Sequence, residues 1–189
     1  MEFSGRFTGR RAFLAGGVAS IAAIPLRPAL ADIGPQVRGA QVRSLAFDNL
    51  HTGEKLKVDY WADGRYEPEA LQAVNHVLRD FRTGDVHPIA PRLLDLLVLL
   101  RAKLDTAAPV EVISGYRSPR TNAMLRAAEA HSGVAAKSLH MQGMAIDLRI
   151  ANRPLQTLHA VALAQRAGGV GYYPASDFVH VDVGRVRHW

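Results

Sequence analysis

The organisation of this 189-residue chain is decided by two stretches, Ser138-Leu-His-Met-Gln-Gly-Met-Ala-Ile-Asp-Leu-Arg149 and Phe178-Val-His-Val-Asp182. Together they carry two histidines and one carboxylate, His140, Asp147 and His180, each beside apolar residues typical of β-strands. Two imidazoles and one carboxylate leave the fourth position of a tetrahedral Zn²⁺ ion open, as a catalytic zinc site requires. The pattern therefore indicates a candidate metal centre, and we interpret most of the remaining chain as the scaffold around it.

The spacing of these residues sets a geometric condition on that centre. Asp147 follows His140 by seven positions, which would separate the two by about 23 Å in an extended chain and by about 10 Å in a helix. Neither distance suits a single ion, so the chain must fold back between them, and Gly143 permits such a turn. Asp147 and His180 can meet if their strands are neighbours, because facing residues on paired strands have Cβ atoms about 5 Å apart. The sequence therefore predicts that these two strands pair.

Three further polar residues are candidates for supporting roles. Asp182 shares a strand face with His180, so it is either a partner that orients the histidine or a carboxylate at the rim of the site. Asp177 lies in the turn before that strand and is either a general base for a metal-bound water or an exposed turn residue. Arg117 follows a short strand at a strand-to-helix corner, where its side chain either projects into a cleft or pairs locally at the surface.

Along the rest of the chain, segments whose apolar residues recur with the period of a β-strand are interspersed with segments that have the period of a helix. They predict a β-hairpin, then two helices, of which the second is apolar on most sides and therefore central. A strand, a short capped helix, a strand, a helix and a final hairpin follow. In order, the predicted elements cover 42–48, 55–61, 67–81, 91–104, 110–114, 122–130, 144–150, 154–166, 169–173 and 178–183. About six strands and four helices in this order indicate an α+β fold, with one domain over residues 32–189.

Composition narrows the function classes. The chain has no cysteine, which excludes disulfides and cysteine-ligated zinc sites and leaves histidine, aspartate and glutamate as metal ligands. The formal net charge is +6, but four arginines and a single glutamate fall within residues 1–31. A charge this small, without a dense basic run, argues against nucleic acid as a partner and is compatible with an anionic polymer such as peptidoglycan.

Residues 1–31 have the parts of an export signal. Arg10-Arg11 precedes Ala-Phe-Leu, a mild apolar run extends from Leu14 to Pro25, and Ala29-Leu-Ala31 offers a small-x-small cleavage site. The adjacent arginines resemble the twin-arginine signal of bacterial proteins exported in the folded state. Gly9 stands where that signal usually has Ser or Thr, and a general-secretion signal or an amphipathic leader helix is the alternative. We expect cleavage after Ala31, export to the periplasm or cell envelope, and no stable membrane span afterwards.

At three ordered motifs the chain resembles the M15 zinc peptidases, and more closely their exported DUF882 branch, which contains murein endopeptidases. The likeness spans roughly residues 40–189. The three motifs are Ser114-Gly-Tyr-Arg-Ser118, His140-x6-Asp147 and Asp177-x-x-His180, and the closer likeness rests on Tyr172-Tyr-Pro174, Phe178-Val-His-Val-Asp-Val-Gly184 and Arg187-x-Trp189.

The resemblance implies a fold and a set of roles. The fold is a single M15 (LAS-type) peptidase domain, in which a small antiparallel sheet is flanked by helices. The three candidate ligands bind one Zn²⁺ per chain, Arg117 engages the substrate carboxylate or the oxyanion, and Asp177 is the base. Ser118 and Gln142 are cleft residues expected to contact the substrate.

We therefore expect a monomeric zinc peptidase that hydrolyses peptidoglycan stem peptides or cross-links. Two alternatives stay open at this point, a D,D-carboxypeptidase of the same fold and a non-catalytic module that binds peptidoglycan. The motifs are compatible with cleavage of a terminal D-alanine, a D-alanyl–diaminopimelate bond or a diaminopimelate–diaminopimelate bond.

Overall fold

Residues 42–128 and 135–189 are described by the computed structural model of this protein. The predicted signal peptide, the start of the predicted domain and the predicted end of the third helix lie outside these residues. Within them the chain forms eight strands and four helices. They are β1 Val42–Asn49, β2 Lys55–Ala62, β3 Arg65–Tyr66, α1 Pro68–Val77, α2 Pro91–Lys103, β4 Val110–Ser114, α3 Pro119–Ala128, β5 Ala145–Ile150, α4 Leu155–Gln165, β6 Gly169–Tyr173, β7 Phe178–Asp182 and β8 Arg187–His188.

The predicted first hairpin is confirmed. β1 and β2 pair in antiparallel register, with Phe47 opposite Leu56, and the chain reverses through a turn at Gly53, whose φ of +71° favours glycine. Alternate residues of β1, including Leu45 and Phe47, are fully buried, as its period-two pattern predicts.

Helices α1 and α2 begin where the sequence predicts, each with a proline in its first turn. α1 packs on β2, and α2 packs on β1 and on α4. The α2 residues that enter the core are leucines, and burying each contributes about 1.5–3 kcal/mol relative to exposure. They are Leu93, Leu94, Leu96, Leu97, Leu99 and Leu100. The prediction of a central second helix is confirmed.

The strands form one sheet in the order β3-β2-β1-β4-β5-β7-β6-β8. Most neighbours are antiparallel, while β1 with β4 and β6 with β8 are parallel. The predicted α+β class is confirmed, and the sheet is wider than predicted because the sequence analysis missed β3 and β8. Each of these has only two residues, too few for alternation to be visible in a sequence.

Strand β5 lies between β4 and β7 and carries the second candidate ligand. Its pairing with β7 places Asp147 directly opposite His180, so the predicted strand pairing is confirmed. Ile146 and Leu148 point to the core side, against which α4 packs, and alternation along the strand turns Asp147 to the opposite face. The core thus fixes which sheet face presents the polar residues.

None of the described helices combines the length and the apolar character needed to cross a membrane.

Candidate metal centre

The first candidate ligand reaches the sheet through a tight fold-back. His140 lies in a short 3₁₀ turn, Leu139–Gln142, which ends at Gly143 with φ +64°. The amide of Met144 donates to the carbonyl of Leu139 at 3.1 Å and closes the turn. A Cβ at Gly143 would overlap the backbone carbonyl of Pro88. The left-handed φ and this close approach both require glycine, and the fold-back expected at this position is present.

Three ligand atoms converge where the fold-back meets β5 and β7. The Nε2 atom of His140 lies 3.1 Å from Nδ1 of His180 and 3.2 Å from Oδ1 of Asp147, and the last two atoms are 2.9 Å apart. Ligands held about 2.0–2.1 Å from a tetrahedral ion are about 3.3 Å apart, so this triangle has nearly the size of one face of such a site. All three side chains are buried.

Hydrogen bonds outside the triangle determine which ring atoms face inward. The Nδ1–H of His140 donates to the carbonyl of Gly115 at 2.7 Å, and the Nε2–H of His180 donates to Oδ2 of Asp182 at 3.1 Å. When the two rings are neutral, the opposite ring nitrogens therefore present lone pairs, which face the carboxylate oxygen of Asp147. Three acceptors so close together repel one another unless a cation or a proton lies among them. The donor set thus fits a divalent metal ion.

Arg117 lies beside this cluster. Its Nη2 pairs with Oδ2 of Asp147, the oxygen that points away from the two histidines, and its Nε donates to Oγ of Ser114 at 2.9 Å. The guanidinium thus fixes the Asp147 carboxylate so that a single oxygen, Oδ1, faces the ligand triangle.

The loop that carries Arg117 is anchored to the chain after α1. The amide of Tyr116 donates to the carbonyl of Leu78 at 2.7 Å, and the amide of Ser118 donates to Oδ2 of Asp80 at 2.8 Å. Asp80 is itself buried. These contacts hold both sides of Arg117, so the guanidinium is pre-positioned at the site.

The burial of the cluster changes its protonation equilibria. Burial alone would raise the pKa of Asp147, but its two histidine neighbours and Arg117 outweigh that effect and hold the pKa far below its ordinary range. Burial lowers the pKa of His140. Burial also opposes protonation of His180, but hydrogen bonds to Asp147 and Asp182 prevail and raise its pKa. Near neutral pH the cluster therefore presents an ionised carboxylate and a neutral His140, both suited to bind a metal.

A cavity of about 310 Å³ opens onto the cluster. Among the lining residues that the structure describes, Asp147 is the single carboxylate, whereas three side chains are cationic and three are aromatic. The cationic residues are Arg117, Lys137 and Arg187, and the aromatic residues are Tyr173, Phe178 and Trp189. The cavity can therefore receive an anionic ligand that has an apolar portion.

Asp182 occupies the position predicted for a partner of His180, since it is fully buried and accepts a hydrogen bond from the His180 ring. Arg117 also lines the cavity, as predicted.

Three predicted site residues lie elsewhere. The carboxylate of Asp177 pairs with Arg149, is 61% exposed and does not line the cavity. Ser118 is 2% exposed, and its Oγ accepts from the amide of Thr121 at the start of α3, so it caps a helix instead of facing a cleft. Gln142 is exposed at the end of the 3₁₀ turn, also outside the cavity lining. Ser118, Gln142 and Asp177 are thus outside the cavity lining that the structure describes, and the site roles expected for them stay predictions.

Sequence reasoning missed several residues that line the cavity. Four of them belong to motifs that carry the resemblance but have no predicted site role, and these are Tyr173, Phe178, Arg187 and Trp189. Lys137 belongs to none of those motifs. The pairing of β8 with β6 brings the C-terminal residues to the site, and a two-residue strand gives no pattern from which this pairing could be predicted. An Arg-x-Trp sequence close to a strand that carries a candidate ligand was the one available signal.

Comparisons with known proteins identify the family of the chain. A family model described as peptidoglycan L,D-endopeptidase MepK matches residues 37–189. The chain is 47% identical to the Escherichia coli K12 protein of that name over 182 residues, which cover 95% of this chain and 96% of the relative. It is 43% identical over 148 residues, 78% of each chain, to a Haemophilus influenzae protein named probable peptidoglycan L,D-endopeptidase MepK. The resemblance identified from the sequence motifs is confirmed: the chain belongs to the MepK family of M15-type peptidases.

Proposed function

We propose that this protein is a zinc-dependent peptidoglycan L,D-endopeptidase, with His140, Asp147 and His180 as the ligands of one zinc ion per chain. The observation that carries the proposal is the triangle of three buried ligand atoms, two ring nitrogens and one carboxylate oxygen, at separations of 2.9–3.2 Å. A donor set of two imidazoles and a carboxylate is typical of catalytic zinc sites, in which a further position stays free. When bound, the zinc ion lowers the pKa of a water ligand towards neutrality and polarises the scissile carbonyl.

Arg117 is the residue of the chain best placed to stabilise negative charge that develops on the substrate. Its Nε and Nη2 are engaged by Ser114 and Asp147, whereas Nη1 has no hydrogen-bond partner within residues 42–128 and 135–189. The side chain lines the cavity, is 13% exposed, and is held by its neighbours before any substrate binds. A preorganised cationic donor of this kind stabilises an oxyanion with little reorganisation.

The cationic lining supports a substrate with free carboxylates. A bond with its carbonyl on an L-centre and its nitrogen on a D-centre amino acid has the D-centre carboxylate close to the scissile nitrogen. Arg117, Lys137 and Arg187 line the cavity, so it offers cationic side chains to a carboxylate of the substrate. A terminal D-alanine also has its carboxylate beside the scissile nitrogen, so the cationic lining suits either substrate. We favour an L,D cross-link between stem peptides because relatives that match 95% of this chain are named peptidoglycan L,D-endopeptidases, and the D,D-carboxypeptidase reaction becomes an outcome of the test.

The test uses two purified muropeptide dimers, one with a diaminopimelate–diaminopimelate cross-link and one with a D-alanyl–diaminopimelate cross-link. Protein with and without zinc is incubated with each dimer, and mass spectrometry identifies the products. We expect zinc-dependent conversion of the first dimer to monomers, with slower or no cleavage of the second. Release of D-alanine alone would instead identify a carboxypeptidase, and absence of any product from zinc-loaded protein that binds the dimers would identify a binding module.

Asp177 gives a prediction opposite to the one made from its sequence position. Because its carboxylate is exposed and pairs with Arg149, we expect Asp177→Asn to change kcat/KM by less than about fivefold, the effect of losing one surface ion pair. Steady-state hydrolysis of a defined cross-linked dimer measures this change. A general base typically raises the reaction rate about 10²- to 10⁴-fold. A loss of kcat/KM of that size would therefore indicate that Asp177 acts as the base.

We also propose that residues 1–31 form a cleaved twin-arginine signal and that residues 32–189 act in the periplasm or cell envelope. The adjacent arginines, the short apolar run and the Ala29-Leu-Ala31 site support this proposal. We expect the exported protein to begin at Asp32, and replacement of Arg10 and Arg11 by lysine to retain the precursor in the cytoplasm. Intact-mass measurement of periplasmic protein from wild-type and variant cells tests both points. An unprocessed wild-type chain in the periplasm would contradict the cleavage, and export of the lysine variant would contradict the twin-arginine route.

A further inference from the structure

Asp182 is the most heavily hydrogen-bonded carboxylate near the site. It is 0% exposed, and its Oδ1 accepts from the amides of Gly169 at 2.8 Å and Gly184 at 2.9 Å. Its Oδ2 accepts from Nε2 of His180 at 3.1 Å. These contacts tie two backbone segments and one candidate metal ligand to a single buried carboxylate.

The positive charge that balances this buried carboxylate belongs to Arg187. Its Nη2 lies 2.6 Å from Oδ2 of Asp182, and its Nη1 lies 3.2 Å from Oδ1, so the guanidinium pairs with both oxygens. Such a two-point contact fixes the orientation of the carboxylate as well as its charge. A buried carboxylate that loses its cationic partner is strongly destabilising.

The backbone around this pair is built to admit it. A Cβ at Gly169 would overlap both Oδ2 of Asp182 and the guanidinium of Arg187, and one at Gly168 would overlap the backbone carbonyl of Asp182. Neither glycine has a positive φ, so the need for glycine at these positions comes from space alone. The two glycines thus leave room for the ion pair of Asp182 and Arg187 next to the His180 ring.

Trp189, the residue that follows β8, lies beside the His180 ring. The indole of Trp189 lies 5.2 Å from the His180 ring between centroids, and its Nε1 donates to the hydroxyl of Tyr173 at 2.6 Å. The Arg187 guanidinium lies 5.1 Å from the Trp189 ring centroid. The orientation of the His180 ring therefore also depends on residues 187–189, which hold none of the three candidate metal ligands.

We infer that Arg187 is a positioning residue of the metal centre: by holding Asp182, it fixes the His180 ring with Nδ1 directed at the other two ligand atoms. The inference rests on the proposed metal site and extends it to a residue that contacts no ligand atom. Partners that orient metal-bound histidines typically contribute about 10- to 100-fold to metal affinity. We expect a loss of this size when Arg187 is replaced by glutamine, because the buried Asp182 then lacks the cation that orients it.

The zinc dissociation constant, measured by competition with a chromophoric chelator, tests the inference without any peptidoglycan. Arg187→Gln should bind zinc about 10- to 100-fold more weakly, and Arg187→Lys should recover part of that loss because it restores the charge without the two-point contact. Arg185→Gln is the matched control, since it removes an exposed arginine two residues away, and it should bind zinc like the wild type.

A double-mutant cycle separates action through Asp182 from a general structural effect. If Arg187 acts through Asp182, then Arg187→Gln combined with Asp182→Asn should bind zinc no more weakly than Asp182→Asn alone. Wild-type affinity in Arg187→Gln, or losses that multiply in the double variant, would overturn the inference while the proposed function stands. If the glutamine variant does not fold, the comparison of Arg187→Lys with Arg185→Lys decides, and equal affinities overturn the inference. A wild-type protein that binds no zinc would overturn the proposed function and the inference together.

Discussion

Asp147→Asn is expected to abolish zinc retention and to lower kcat/KM by about 10³-fold or more. The substitution keeps the shape of the side chain but removes the negative charge that faces two ring nitrogens at 2.9 Å and 3.2 Å. It also leaves Arg117 without its anionic partner inside a buried cluster. Lewis-acid activation by a metal contributes several kcal/mol, and about 4 kcal/mol corresponds to about 10³-fold in rate.

Asp177→Asn is the matched control for this prediction, because it makes the same chemical change at an exposed carboxylate near the start of β7. Zinc content after dialysis, followed by hydrolysis of a cross-linked dimer, measures both effects. If Asp147→Asn retained one zinc per chain and near wild-type activity, the assignment of Asp147 as a ligand would be wrong. Loss of zinc from both variants would instead indicate a general destabilisation of the site.

Replacement of Arg117 by methionine is expected to lower kcat by about 10²- to 10³-fold when zinc is saturating, the usual effect of removing one oxyanion donor. Methionine keeps much of the length and the apolar stem but cannot donate to Asp147, to Ser114 or to a substrate oxygen. The zinc dissociation constant is also expected to increase, because the guanidinium orients the Asp147 carboxylate. Measuring kcat at increasing zinc concentration separates the two effects.

Arg92→Met is the control for Arg117, because Arg92 is an exposed arginine in the first turn of α2. It should leave both kcat and zinc affinity unchanged. If saturating zinc restored full kcat to Arg117→Met, then Arg117 would act only by orienting Asp147. Its proposed contact with the oxyanion would then be contradicted.

The parts of this protein that could be predicted from its sequence are those governed by local periodicity. Alternation predicted the strands that carry Asp147 and His180, and the need for one ion to bind both predicted that these strands pair. The same argument predicted the turn at Gly143, because His140 has no other route to the site. Asp182 could be predicted as a partner of His180 because two residues on one strand share a face.

The parts that could not be predicted depend on contacts between distant segments. Asp177 follows the expected motif, but Arg149 on a neighbouring strand binds its carboxylate, and no local pattern indicates that pairing. For Ser118 the sequence predicts a helix cap, and the amide of Thr121 does donate to its Oγ, whereas the cleft contact implied by the resemblance depends on how this loop packs against the rest of the chain. Arg187 reaches Asp182 through a strand of two residues. Short-range sequence patterns carry no signal for such arrangements.

The most direct test of the metal centre is a crystal structure of zinc-loaded protein, with diffraction data collected on both sides of the zinc absorption edge. Our account predicts one strong anomalous peak per chain, bounded by Nε2 of His140, Oδ1 of Asp147 and Nδ1 of His180. The peak should be absent from crystals of Asp147→Asn. A zinc-loaded, active protein with no peak at this position, or with its peak held by other residues, would contradict the account.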